Sequence, residues 1–206
     1  MEFHKIIWYN VFMLYTRKGD DGKTKTFGCD QRISKSSAIA EALGALDEIN
    51  SFLGLCKVKV EKENFILPDG TMASKEIHNV QKNLFIIQAE IAGSKISIEE
   101  EKVKEIEKII NDIEKNLPPI KSFFIAGGKK LAVLFDIART IARRAERRVI
   151  EVDESSDAEA LADKEKKVKV GKFTKAYLNR LSSFLYAMAR LTNHKFGINE
   201  ESPDYK

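Results

Sequence analysis

The feature that most restricts the fold is a helical spacing of apolar residues along most of the chain. Ile39, Leu43, Leu46, Ile49 and Leu53 follow one another every three or four residues, which places them on one face of a helix. Four later stretches repeat this spacing, and strand signals are scarce. We therefore predict an all-α fold, a five-helix up-and-down bundle. The predicted helices cover residues 37–58, 74–95, 98–116, 129–151 and 174–195.

The remaining segments differ from these helices in composition. The 206 residues suffice for one domain with a sizeable core, which we place at 15–196. Residues 1–14 are interpreted as an N-terminal extension and residues 197–206 as a frayed C-terminal tail. Residues 151–172 are rich in acids, Ser and Lys and poor in large apolar side chains, which predicts a mobile loop.

Charge, hydropathy and cysteine content narrow the class of protein. A net charge of +4 does not by itself indicate a nucleic-acid partner. No apolar run approaches the roughly 20 residues that cross a bilayer, so we expect no membrane partner. Cys29 and Cys56 stand far apart without a nearby His or Cys, which indicates two free thiols in a reducing, cytoplasmic compartment.

The fourth predicted helix carries a dense basic cluster within IARTIARRAERRV. Five arginines and one glutamate fall within ten residues, at Arg139, Arg143, Arg144, Glu146, Arg147 and Arg148. At 3.6 residues per turn, Arg139, Arg143, Glu146 and Arg147 share one stripe. The cluster indicates either a site for a ligand with several negative charges or a basic surface helix, and this stretch alone leaves both open.

The N-terminal loop, residues 15–28 with the sequence YTRKGDDGKTKTFG, has the chemistry of a phosphate cradle. Gly19 and Gly22 allow successive backbone N–H groups to point at one anion, and Thr and Lys side chains add donors. The loop matches neither the Walker A pattern nor GxGxxG. Asp20 and Asp21 could reach Mg²⁺ or cap the turn, and a flexible polar segment is the alternative for the whole loop.

Four further residues stand out by position. Asp47 lies beside the apolar face of the first helix, where it either needs a partner or is exposed. Phe123 and Phe124 precede a Gly-Gly turn, and such residues fill cores more often than they contact ligands. Asn179 lies inside a helix, where Asn is disfavoured, so its amide is a candidate functional group.

Four segments together resemble the ATP:cob(I)alamin adenosyltransferases of the trimeric, PduO-type class. They are YTRKGDDGKTKTFG, EALGALDEINSFLG, RTIARRAERR and YLNRLSSFLYAMAR, and the resemblance extends from Leu14 to about Asn193. It implies transfer of the 5′-deoxyadenosyl group of ATP to cob(I)alamin, giving adenosylcobalamin and triphosphate. It also implies Mg²⁺ and a homotrimer with ATP sites between subunits. A flavoprotein reductase and an adenosylcobalamin-dependent enzyme are the further partners that it suggests.

The resemblance also assigns roles to individual residues. It implies that Arg143 and Phe123 act in catalysis, Phe123 by helping to displace the lower axial ligand of the corrin. A salt bridge between Asp47 and Arg139 is expected, and the protein ligands of Mg²⁺ are not identified. The implied nucleotide-binding residues are Thr16, Arg17, Lys18, Gly19, Thr24, Lys25, Lys35, Arg143, Arg144, Glu146, Arg147 and Asn179.

The chemistry of this reaction agrees with the residues present. Cob(I)alamin is itself a strong nucleophile, so the protein must orient C5′ of ATP and stabilise the leaving triphosphate. No general base is required, which agrees with the absence of a Ser/His or Cys/His pattern in the sequence. The competing interpretations are a helical module that binds nucleic acid and a scaffold that binds ATP without turnover.

Overall fold

The computed structural model describes residues 15, 17–26, 32–120, 122, 124–158 and 168–205. Within them, five long helices account for most of the chain, and the predicted all-α bundle is confirmed. The helices are α1 (Ala38–Lys62), α2 (Ala73–Ile91), α3 (Glu100–Glu114), α4 (Lys130–Ala158) and α5 (Lys172–Lys195). None of the helices in the described part of the chain has an apolar stretch long enough to span a membrane.

The helices α4 and α5 form the centre of the bundle. They pack against each other, α1 packs on α4 and on α2, and α3 packs on α5. The predicted apolar face of α1 is the buried one, with Leu46, Ile49 and Leu53 fully enclosed. Where α5 meets α2, the buried Tyr177 hydroxyl accepts a hydrogen bond of 3.0 Å from Nδ2 of Asn83. The arginine cluster of α4 therefore lies on a helix that packs against both α1 and α5 at the centre of the bundle.

The helix α4 is longer than predicted. It continues to Ala158, so the predicted loop is wrong for residues 151–158, whereas residues 159–167 lie outside the described residues. Val152 is almost completely enclosed, which the polar composition of this stretch did not indicate. Packing against the rest of the bundle therefore outweighs local composition here.

Two carboxylates anchor the end of the connection that leads into α5. Asp153 on α4 accepts hydrogen bonds from the Val170 N–H at 2.9 Å and from Lys175 Nζ at 2.8 Å. Glu90 on α2, only 6% exposed, accepts from the Gly171 N–H at 2.7 Å and from the Thr174 hydroxyl at 2.5 Å. These bonds fix the start of α5 against α4 and α2.

Two smaller features differ from the prediction. The strands β1 (Lys23–Lys25) and β2 (Arg32–Ser34) pair antiparallel, with Thr24 opposite Ile33, in a region where no strand was predicted. The frayed tail is also wrong for 197–202, because the Ile125 N–H donates to the Glu201 carbonyl at 2.8 Å and Ser202 contacts Ser122. The chain after α5 therefore returns to the segment before α4.

Candidate active site

Two cavities meet at Arg143, which lines both of them. The larger cavity, about 720 Å³, lies between α3, α4, α5 and the segment before α4. The smaller cavity, about 420 Å³, lies along α4 beside the first turns of α5. The stripe predicted on α4 therefore continues from one cavity into the other, with Arg139 lining the larger cavity and Arg147 the smaller one.

The larger cavity combines apolar walls with a few charged groups. Its apolar lining includes Leu117, Pro118 and Ile120, and its basic groups include Arg139 and Arg190. Arg139 lies 3.5 Å from Asp136 on the same helix, but its buried Nε makes no hydrogen bond within the described residues. Burial raises the pKa of Asp136, although the neighbouring Arg139 acts in the opposite direction. Such a cavity suits a large ligand with an apolar body and polar edges.

The smaller cavity is the more polar of the two and suits a polyphosphate. Arg143 and Arg147 line it, are exposed, and have no ion-pair partner in the described part of the chain. Between them, Oε1 of Glu146 accepts a hydrogen bond of 3.1 Å from Nδ2 of Asn179 on α5. Oδ1 of Asn179 accepts from Arg180 Nη1 at 2.7 Å, so the orientation of the amide is fixed. Two guanidinium groups are thus available to an anion.

The other arginines of the cluster are engaged elsewhere. Arg144 pairs with Glu48 on α1, and Arg148 pairs with Glu151 at 2.8 Å. The structure does not place Arg144, which was expected to bind nucleotide, among the residues that line either cavity. Because each residue turns a helix by about 100°, Arg143 and its neighbour point in different directions. These pairs also interrupt the continuous basic face that a nucleic-acid-binding helix would present.

The predicted salt bridge between Asp47 and Arg139 does not form within the chain. Asp47 is exposed on α1 and makes no hydrogen bond or ion pair with the described residues. Arg139 has a nearer acid, because Asp136 lies one helical turn before it. The expectation is therefore wrong as a contact within one chain.

The N-terminal loop is closed by Arg32, a residue that the sequence did not single out. Its guanidinium bonds both oxygens of Asp21, at 2.8 and 2.7 Å, and also reaches the backbone carbonyl of Lys18. The Lys23 N–H and the Arg32 guanidinium hold the pKa of Asp21 below its usual range. Of the two roles considered for Asp21, holding the turn is the one that these contacts support.

Several of the residues expected to bind nucleotide lie close to the backbone of this loop. Lys35 Nζ donates to the Gly19 carbonyl at 2.8 Å, and a Cβ at Gly19 would lie 3.1 Å from that nitrogen, so the position leaves little room for a side chain. Arg17 has a φ of 58° and lies over the Tyr15 ring. Thr24 and Lys25 lie on β1.

Within the described residues, the hydrogen bonds of the Arg32 and Lys35 side chains go to residues 18–23 of the N-terminal loop, and none reaches the arginine stripe. The expected residues Thr16 and Phe123 lie outside the described residues. Two residues of the larger cavity, Tyr186 and Arg190, were not predicted. The sequence signal for Arg190 was a charged residue directly after the mostly apolar stretch FLYAMA of α5.

Comparison with known proteins gives consistent results. The model of the family described as cobalamin adenosyltransferase matches residues 14–192. The chain is 34% identical over 191 residues to a corrinoid adenosyltransferase of Bacillus subtilis, covering 91% of this chain and 90% of that protein. It is 32% identical over 201 residues to a corrinoid adenosyltransferase of Citrobacter freundii, covering 94% and 98%.

The fold is also similar to that of solved structures. One is a variant PduO-type ATP:corrinoid adenosyltransferase from Lactobacillus reuteri, complexed with cobalamin and ATP. The TM-score is 0.76 at 26% sequence identity, and the match covers 94% of this chain and 97% of that one. The likeness therefore extends over nearly the whole of both chains.

Proposed function

The chain belongs to the cobalamin adenosyltransferase family, and we propose that it transfers the 5′-deoxyadenosyl group of ATP to cob(I)alamin. The observation that carries this proposal is the shared position of Arg143. One of the two cavities that it lines suits a polyphosphate and the other a large, mostly apolar ligand. A transfer between two substrates requires such adjoining sites, because the reacting atoms must come within about 3–3.5 Å of each other.

Each substrate has a proposed place. The triphosphate of ATP lies along Arg143 and Arg147, and Glu146 keeps the Asn179 amide in position beside it. The corrin lies in the larger cavity, where Arg139 lines the wall. The C5′ atom of ATP then lies near Arg143, the point where the two cavities meet.

The proposed reaction is a single displacement at C5′. The cobalt of cob(I)alamin supplies an electron pair, a Co–C5′ bond forms, and the C5′–O bond breaks. The electron pair of that bond leaves with the triphosphate. Arg143 and Arg147 stabilise the negative charge that develops on the leaving oxygen, which is the largest contribution expected from the protein.

We propose that Mg²⁺ enters this site with the triphosphate. The part of the chain that the structure describes contains no cluster of three or more His, Cys, Asp or Glu residues able to hold a metal ion alone. Mg²⁺ prefers oxygen ligands and is commonly held by substrate phosphates with one or two carboxylates. Glu146, Glu151 and Glu154 line the smaller cavity, so oxygen donors are present there. The ion would supply further charge neutralisation.

We also propose that the active form is a homotrimer. The N-terminal loop of one subunit, with Arg17, Lys18, Gly19 and Lys25, would then complete the smaller cavity of its neighbour. Two observations support this arrangement: Asp47 is exposed and unpaired within the described residues, and in that part of the chain the side-chain contacts of Arg32 and Lys35 go to the N-terminal loop and not to the smaller cavity. Asp47 would reach Arg139 across this interface.

The remaining proposals concern the cell. A flavoprotein reductase would supply the electron that converts cob(II)alamin to cob(I)alamin, and an adenosylcobalamin-dependent enzyme would receive the product. We assign the protein to the cytoplasm, where the buried Cys56, which is a free thiol, stays reduced.

One assay tests the proposed activity. The full-length protein is mixed with ATP, Mg²⁺ and chemically reduced cobalamin under strict anaerobiosis, and the corrin absorbance is followed. Adenosylcobalamin and triphosphate are expected in equal amounts. Absence of adenosylcobalamin would rule out the proposed transferase activity and favour the alternative of a scaffold that binds ATP without turnover.

A further inference from the structure

The chain after α5 folds back on residues 117–128, which we call the wall segment because several of its residues line the larger cavity. The Ile125 N–H donates to the Glu201 carbonyl at 2.8 Å, and the hydroxyls of Ser122 and Ser202 lie 2.6 Å apart. The wall segment is therefore held by residues far from it in sequence. Three buried or half-buried polar side chains, described in turn below, make most of the contacts between α5, the chain after it and the wall segment.

Arg190 on α5 is the first of these side chains. It is only 4% exposed, although it carries a full charge, and its Nε donates to Oε2 of Glu200 at 2.9 Å. Its guanidinium carbon lies 4.6 Å from the centre of the Phe124 ring, and Nη2 donates to the Pro118 carbonyl at 3.5 Å. A buried guanidinium needs such partners, and two of them belong to the wall segment.

Asn193, one turn further along α5, holds the Gly-Gly end of the wall segment. It is 4% exposed, its Nδ2 donates to the Gly127 carbonyl at 3.1 Å, and its Oδ1 accepts from the Lys129 N–H at 3.1 Å. The fit is tight at Gly128, where a Cβ would lie 2.4 Å from Oδ1 of Asn193. Gly128 also has a φ of 92°, which favours glycine.

Glu200 connects the two. One of its carboxylate oxygens accepts from Arg190, and the other accepts from Nδ2 of Asn193 at 3.3 Å. Both groups are thereby satisfied by one carboxylate from the C-terminal segment. Removing that carboxylate would leave the buried Arg190 charge without its ion-pair partner.

We propose that Arg190, Asn193 and Glu200 are positioning residues that set the wall segment for its role in corrin activation. This inference rests on the proposed function and on the role that the resemblance implies for Phe123, displacement of the lower axial ligand of the corrin. Both sequence neighbours of Phe123 are contacted, Phe124 by Arg190 and Ser122 by Ser202. These three residues, which we call the brace, hold the chain on either side of Phe123, so we expect the brace to affect the use of cob(II)alamin more than the use of preformed cob(I)alamin.

The test compares Glu200→Ala with Glu201→Ala in the full chain. Glu201 is the matched control, because its side chain is exposed and only its backbone carbonyl contacts the wall segment. Each protein is assayed with cob(II)alamin plus a chemical reductant and with preformed cob(I)alamin. Electron paramagnetic resonance of cob(II)alamin mixed with the ATP-bound protein reports the fraction that has lost its lower ligand.

The expected result is selective. Glu200→Ala lowers the rate with cob(II)alamin about tenfold more than the rate with cob(I)alamin, since a small misplacement near a reacting centre can cost up to about 100-fold. It also lowers the fraction without a lower ligand and leaves the KM for ATP unchanged. Glu201→Ala behaves as wild type. Equal losses in both assays, or equal behaviour of the two variants, would overturn the proposal.

A second pair of variants covers the case in which Glu200→Ala fails to fold. Gly128→Ala displaces the turn without removing a charge, and Gly70→Ala is its control. Both glycines have positive φ values, 92° and 85°, but a Cβ at Gly70 has no neighbour within 4 Å. We expect the selective loss only in Gly128→Ala, and the same loss in both would contradict the brace. An inactive wild type rejects the proposed function, whereas an active wild type with non-selective variants rejects only the brace.

Discussion

Nδ2 of Asn179 on α5 donates a hydrogen bond of 3.1 Å to Oε1 of Glu146 on α4, between Arg143 and Arg147, the two arginines of the smaller cavity that have no ion-pair partner among the described residues. This bond joins the only acid of the stripe to the facing helix. The bond holds the carboxylate of Glu146 against α5, which leaves the guanidinium groups of Arg143 and Arg147 available to substrate.

Asn179→Asp tests this relationship. The substitution places a second carboxylate beside Glu146 and in front of the triphosphate, so we expect the KM for ATP to rise by about tenfold, equal to ~1.4 kcal/mol. Asn179→Ala removes the hydrogen bond without adding charge and should raise KM less. Initial rates at varied ATP measure both, and a larger effect of Ala would show that the charge is not the cause.

Arg143→Ala should cause the largest loss among the arginines, because this side chain lines both cavities. Removal of one preorganised donor to a developing charge costs roughly 100-fold to 1,000-fold in turnover. The rate of corrin absorbance change at saturating ATP measures it. Turnover at the wild-type level would remove Arg143 from the reaction.

Arg147→Ala and Arg144→Ala form a matched pair on one helix. Arg147 lines the smaller cavity, so its loss should raise the KM for ATP, whereas Arg144 pairs with Glu48 on α1. Since Arg144 and Glu48 are each about half exposed, we expect Arg144→Ala to change the free energy of unfolding by at most ~1 kcal/mol, with KM unchanged. ATP titration and urea unfolding separate the two. An equal rise in KM would place Arg144 at the nucleotide after all.

Phe123→Ala should reduce the rate with cob(II)alamin and a reductant more than the rate with preformed cob(I)alamin. The reason is that an apolar wedge is needed only to remove the lower axial ligand before reduction. Phe124→Ala should show a smaller selective loss, because Phe124 packs on Arg190 and would act on the lower ligand only through the brace. Equal losses in both assays for Phe123→Ala would count against the wedge.

Asp153→Asn should change the dependence of stability on pH. Burial raises the pKa of Asp153, but hydrogen bonds from Lys175 and the Val170 N–H outweigh it and bring the pKa below its usual 3.8. A carboxyl group with a lowered pKa stabilises the folded state above its unfolded pKa and loses that contribution as pH falls through the folded value. The wild type should therefore exceed Asp153→Asn in urea midpoint at pH 7 and approach it near pH 3.

Glu154→Gln is the control for this measurement, since Glu154 is an exposed neighbour on the same helix. It should show little difference from wild type at either pH. A constant gap between wild type and Asp153→Asn from pH 7 to pH 3 would contradict the assigned ionisation.

Most of the fold was predictable because apolar spacing is repeated over many residues. The buried positions Leu46, Ile49 and Leu53 are the ones that the pattern of α1 indicated. The last turns of α4 were not predictable from composition, because one buried residue, Val152, and one ion pair, from Asp153 to Lys175, hold a polar stretch in the bundle. Contacts of this kind depend on a second element whose distance is not visible in the local sequence.

The site was predictable in its residue types and less so in its pairings. The stripe of Arg139, Arg143 and Arg147 follows from helix geometry and lines the two cavities. The pairings of Arg144 and Arg32 could not be predicted in this way, because the acids that pair with them lie on other elements, Glu48 on α1 and Asp21 in the N-terminal loop. The pairing of Arg139 with Asp136 was visible in the sequence as an acid one turn earlier.

The anchors at Asp153 and Glu90 have a consequence for how this protein can vary. Because these contacts tie the start of α5 directly to α4 and α2, we expect the stability of the helices to depend little on the length of the connection from α4 to α5. Doubling the length of a flexible connection adds only about 0.6 kcal/mol of closure entropy. Natural insertions and deletions can therefore accumulate there while the arginine stripe stays in register with Asn179.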